Sequence, residues 1–269
     1  MKRPGKKSLT SAFRFAAALL AAVVSAATPA SGAGGAGFLI PGVALSEAEF
    51  EIGAWCRYLV VDEIMGARDS TVVTIAVTGQ TRRNGVVAWW LELESGPSGG
   101  PVAERNVASA LISSKIKMLA PGDSLVQYIS ELYIKRGNGA VEPADPADLE
   151  QLSLSNPTSD SDWVLTPGET LDTPHGRFTC DRKHLVVDGR REIDMGRVKL
   201  LKNDVDVFDV WLCGDVPIFR VVRCVIDRVR ESKTVPSVPG IPNKEREESR
   251  TTIELIGSGF DAKPMIEVQ

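Results

Sequence analysis

DVDVFDVWLCGDVPIFRVVRCVIDRVR, residues 204–230, decides the fold. Taken two at a time, its first arm puts Val205, Val207, Asp209, Trp211 and Cys213 on one side, and Asp206, Phe208, Val210 and Leu212 on the other. Its second arm separates Phe219, Val221, Arg223, Val225, Asp227 and Val229 from Arg220, Val222, Cys224, Ile226 and Arg228. The side chains are mostly β-branched or aromatic, which fit a pleated strand better than a helix. Gly214-Asp215-Val216-Pro217 reads as the turn, because proline has no N–H to give to a ladder. Apolar residues occupy both sides near the turn and charge collects at the far ends. That pattern belongs to a strand pair near the middle of a sheet that is covered in part on its second face.

The same period runs upstream. Trp55–Asp62, Ser70–Thr78 and Val86–Glu94 read as three strands of a meander, joined through Met65–Asp69 and through Arg82-Arg83-Asn84-Gly85, whose Asn-Gly is a hairpin turn signal. In the third strand Val87, Trp89, Leu91 and Leu93 share one face, while Trp90, Glu92 and Glu94 share the other. Ser124–Arg136 fits helix and strand spacing almost equally, with strand slightly preferred. Gly176–Val187, Arg197–Leu201 and Arg250–Gly257 supply further strands. Residues 142–174, with a helical turn at Pro146–Leu152, and residues 231–249 are Pro-rich, polar or highly charged and read as loops. The expected fold is mainly β: a strongly curved antiparallel sheet, a half-barrel, with one or two short helices.

Residues 1–27 have the layout of a secretory signal. Lys2, Arg3, Lys6, Lys7 and Arg14 precede the apolar run Phe15–Val24, and small residues follow at Ser25-Ala26-Ala27. The apolar run is far shorter than the ~20 residues a spanning helix needs, so no transmembrane anchor is expected in the mature chain. Residues 28–45 read as a flexible lead-in and 46–269 as one β-rich domain. The expected location is outside the cytoplasm, periplasmic or extracellular. The formal charge is −4. Without the five basic residues of the signal, 26 basic residues face 35 acidic ones, giving −9. An acidic chain argues against nucleic acid, whose phosphates need a concentrated basic patch, and no nucleic-acid partner is expected.

Four cysteines, Cys56, Cys180, Cys213 and Cys224, suit an exported protein with up to two disulfides. Three pairings are possible. The hairpin favours Cys213–Cys224, with buried free thiols as the alternative. No Cys/His spacing of a zinc site occurs. Asp160 and Asp162, or Asp204, Asp206 and Asp209, lack the glycine turn of a calcium loop and read as solvated charges, so no metal and no cofactor are expected. His175 and His184 are the two histidines. No nucleophile motif surrounds either, and no catalytic residue or enzyme activity is expected. Trp89 and Trp211 each share a face with apolar neighbours and are the candidate ligand-binding residues, either filling the core or lining an apolar cavity.

Four segments carry a resemblance: Phe50–Tyr58 (FEIGAWCRY), Thr173–Cys180 (TPHGRFTC), Asp209–Leu212 running into Asp215–Ile218, and Ile253–Ala262 (IELIGSGFDA). In this order the chain resembles exported bacterial proteins related to the LolA-like lipoprotein carriers. His175 departs from the small residue usual there. The resemblance implies a half-barrel whose concave face holds acyl chains, and it transfers no catalytic residue. The expected function is therefore a non-catalytic exported protein that binds a lipid or acylated ligand, or a lipoprotein, in an apolar half-barrel. The alternative is an interaction protein with a filled core that docks a partner protein in the cell envelope.

Overall fold

A computed structural model describes residues 47–101, 104–118, 125–144, 163–194, 196, 198–236 and 244–266. The expected signal (1–27) and lead-in (28–45), Pro146–Leu152, Asp160 and Asp162 lie outside the described residues. Eleven strands form one antiparallel sheet: β1 (Trp55–Ile64), β2 (Ala67–Arg83), β3 (Val86–Pro97), β4 (Asn106–Ser113), β5 (Ile129–Arg136), β6 (Val141–Pro143), β7 (Val164–Thr173), β8 (Gly176–Asp194), β9 (Lys199–Leu212), β10 (Val221–Val235) and β11 (Lys244–Gly259). Their order is β6-β5-β4-β3-β2-β1-β11-β10-β9-β8-β7, and β6 and β7 do not pair, so the half-barrel stays open. Two meanders thus meet at the β1–β11 seam. Helix among the described residues is limited to short 3-10 turns, at Ser114–Met118, at Leu125–Tyr128 and ending at Glu104. The described part of the ambiguous segment, 125–136, divides into the turn at Leu125–Tyr128 and β5.

Two-residue turns close β1–β2 and β2–β3. Met65-Gly66 (φ 51° and 85°) and Asn84-Gly85 (φ 50° and 79°) adopt the left-handed conformations that match the twist of a hairpin. Two predicted loops are shorter than their composition implied. β7 fills the end of 142–174, and β10 and β11 extend into 231–249. There the ladder is flanked by charge, with Glu231 paired to Lys244 at 3.4 Å and to Arg246 at 3.0 Å.

The register defines two faces. One row of directly opposed residues runs Thr71–Val60–Ile253–Cys224–Val210–Lys183. Its inner face carries the main core, including Tyr58, Val73, Ile75, Leu91, Leu93, Ala110, Leu132 and Leu255. The segment 47–50 and the β9–β10 connection fold onto this face. Ile218 bridges to Glu49, the Cys56 thiol donates to the Pro217 carbonyl (3.2 Å), and the Tyr58 hydroxyl donates to the Val221 carbonyl (3.2 Å). Phe219 is buried beneath them. Part of the outer face is covered too. The chain after β11 crosses it, where Glu92 accepts the Met265 N–H (2.6 Å) and the Ile266 N–H (3.3 Å).

All four cysteines are free and buried, which corrects the Cys213–Cys224 expectation. The β9–β10 connection is longer than a four-residue turn, and a register shift between Val221 and Arg223 sets Cys224 opposite Val210.

Candidate functional site

The two candidate tryptophans stand on opposite faces. Trp89 opposes Ile112 and Gln80 on the inner face. Its ring packs on Phe50 at 4.9 Å, and Phe50 meets Phe219 edge-on at 6.1 Å. Trp211 belongs to an outer row, Val72–Leu59–Glu254–Arg223–Trp211–Arg182. Its indole N–H donates to Glu169 (2.7 Å), and the Arg182 guanidinium lies 5.3 Å from its ring centroid. A single apolar wall made of both tryptophans is excluded by this register. Alternation along each strand places both correctly relative to their own neighbours, but it cannot tell which face of one strand continues which face of a distant one.

The inner face changes character along the strands. Beyond the apolar row through Val60 comes Asp69–Asp62–Thr251–Ile226–Phe208–Leu185, and then Ala67–Ile64–Ser249–Arg228–Asp206–Val187. At this end Trp163 meets Phe208 edge-on at 6.3 Å, and Val187 is half-buried against the core. Arg228 and Asp206 form an ion pair at 3.4 Å, with the Arg228 side chain 11% exposed. The contact runs from Arg228 Nε to Asp206 Oδ1, so the two buried atoms face each other. The Thr251 hydroxyl donates to Asp62 at 2.6 Å. Burial, the largest influence on each, raises the carboxyl pKa of Asp62 and Asp206, while Arg228 pulls both downward. Trp163, Phe208 and Arg228 lie together at the less fully covered end of the inner face, where Phe208 is buried and Trp163, Val187 and Arg228 are half-buried. Trp163 carried no signal in sequence, since it immediately precedes a strand whose polar composition resembles a loop.

Each histidine has half of a catalytic arrangement. His184 Nδ1 is 2.9 Å from Asp209, which also binds Arg182. His175 Nε2 is 3.0 Å from the Ser258 hydroxyl. One histidine has a carboxylate and the other a hydroxyl, and among the described residues no contact joins the halves. Among the described residues no group of three or more His, Cys, Asp or Glu side chains is placed to hold a metal ion. No helix among them is long and apolar enough to cross a membrane.

No protein-family model and no curated protein matches the chain. Three solved structures are similar to it at low TM-score. The first, from Bacteroides fragilis NCTC 9343 and described as an exported protein with a YmcC-like fold, has 12% identity and a TM-score of 0.31, covering 79% of this chain and 98% of that one. The second, from Parabacteroides distasonis ATCC 8503 and described as a lipoprotein, has 12% identity and a TM-score of 0.33, covering 79% and 99%. The third, a DUF1329 family protein from Desulfovibrio piger ATCC 29098, has 8% identity and a TM-score of 0.30, covering 82% and 92%. At TM-scores of this size, the likeness carries no argument about the role of this chain.

Proposed function

We propose that this chain is an exported, non-catalytic protein of the cell envelope that binds the acyl part of a lipid or lipoprotein at the less fully covered end of its inner face. One observation carries the reading: the apolar side chains of Trp163, Leu185, Phe208 and Val187 run directly up to the half-buried Arg228–Asp206 ion pair. A ligand with an apolar chain and a polar head group would set its chain against the first and its head group beside the second. Ligand sites of this kind are mostly apolar with a few polar groups placed to orient the ligand.

Val186 and Val187 provide a matched test, because they are adjacent in sequence and point to opposite faces of β8. Uptake of a fluorescent fatty acid by the mature protein is the measurement. Val187→Glu is expected to weaken binding about tenfold, about 1.4 kcal/mol, while Val186→Glu leaves it unchanged and both retain the circular dichroism of the parent. Equal affinity in the two variants, or an absence of uptake by the parent, would sink the acyl reading.

A second reading, a docking scaffold for an envelope protein, is favoured by a separate observation. Phe50 occupies the space between Trp89 and Phe219, so the other end of the inner face is filled by the chain itself.

A further inference from the structure

We propose that Cys180 and Cys213 are an oxidisable thiol pair that closes to a disulfide across β8 and the end of β9, while Cys56 and Cys224 remain thiols. The placement follows from the register. Asp181 opposes Leu212, so the next step along the antiparallel ladder sets Cys180 against Cys213. Both are buried, with 1% and 6% of their surfaces exposed, and the Cys213 thiol lies close enough to Cys180 to act on its ionisation. Directly opposed residues on antiparallel strands have Cα atoms about 4.5–5.5 Å apart, inside the range a disulfide spans. The other two cysteines have different surroundings. The Cys56 thiol donates to the Pro217 carbonyl, and Cys224 sits between Val210 and Ile253 in the core.

The closure is a two-electron exchange with a disulfide-bearing oxidant, either a small-molecule disulfide or a protein oxidase. One thiol loses its proton and its sulfur attacks the oxidant's disulfide, expelling one thiol. The second protein sulfur, after losing its proton, attacks the mixed disulfide and expels the other. Two protein S–H bonds are replaced by one S–S bond, and the oxidant leaves as two thiols. Burial pushes the Cys180 thiol up to about 12, and the neighbouring Cys213 thiol adds to the rise. Thiolate is therefore scarce in the folded chain, and exchange runs faster while the chain is folding than after it has folded. This inference is independent of the acyl-binding reading, because neither sulfur lies at the less fully covered end of the inner face.

The mature protein is refolded in mixed reduced and oxidised glutathione, denatured, and alkylated with a maleimide before intact-mass and non-reducing peptide analysis. The expected product is two hydrogens lighter than the fully reduced chain, takes up two maleimides, and yields one linked peptide containing Cys180 and Cys213. Reduction is expected to lower its melting temperature by about 5–10 °C. Cys56→Ser with Cys224→Ser should retain the link, and Cys180→Ser should abolish it. Should Cys180→Ser fail to fold, peptide mapping of the parent chain still decides. Four alkylated thiols after refolding, or a link that includes Cys56 or Cys224, would overturn the proposal.

Discussion

Asp62 shows how one carboxylate fares where the inner face turns polar. It accepts the Thr251 hydroxyl, but Asp69 opposes it on β2, and burial outweighs both that bond and the attraction of Arg228. Its pKa is raised in the folded chain, so the neutral acid is the form that folding favours. The sign follows by linkage: its contribution to stability is complete below the ordinary carboxylate range and is lost as pH climbs through the raised value. Asp62→Asn keeps an acceptor for Thr251 and removes the charge. Thermal melts are expected to show the variant more stable than the parent at pH 7, with the gap closing towards pH 4. A variant less stable than the parent at pH 7 would show that the carboxylate is favoured by its surroundings.

At the scale of elements, the segment after β11 depends on one acidic side chain. Glu92 is 1% exposed on the outer face of β3 and is the acceptor for two successive backbone N–H groups. Glu92→Ala would leave both donors without a partner and is expected to cost about 1–3 kcal/mol. Hydrogen exchange at Met265 and Ile266 should accelerate well before exchange in β3. The sequence announced β3 clearly, since Leu91 and Leu93 alternate with Glu92 and Glu94, yet the burial of Glu92 was not legible because alternation shows a face and not what covers that face. β7 was illegible for the opposite reason. Its residues are mostly exposed on both sides, so no apolar period marks it, and the ladder with β8 supplies the order instead. The far ends of β10 and β11 were hidden by charge, which cross-strand pairing accommodates without burial. The turns at Met65-Gly66 and Asn84-Gly85 were readable from residue type because their backbone angles demand it.

For the molecule as a whole, Phe50 acts as a stud. It lies outside the sheet and touches Trp89 from the β1–β6 meander and Phe219 from the connection between β9 and β10, with the bridge from Glu49 to Ile218 alongside. Phe50→Ala is expected to destabilise the fold by about 3 kcal/mol, read from the midpoint of urea unfolding with an unchanged slope. A loss below about 1 kcal/mol would mean that the two meanders hold together without it. The β1–β11 seam has a kinetic side as well. Every other strand pair joins neighbours in sequence, so most of the ladder closes through short loops at low entropic cost. The seam alone requires residues near position 55 to find residues near position 259. Each meander can form its hairpins early and locally, and the slow event in folding is the search that brings two finished half-sheets edge to edge. Until that search ends, β1 and β11 are bare sheet edges, and this is the interval in which the chain is most open to pairing with the wrong neighbour.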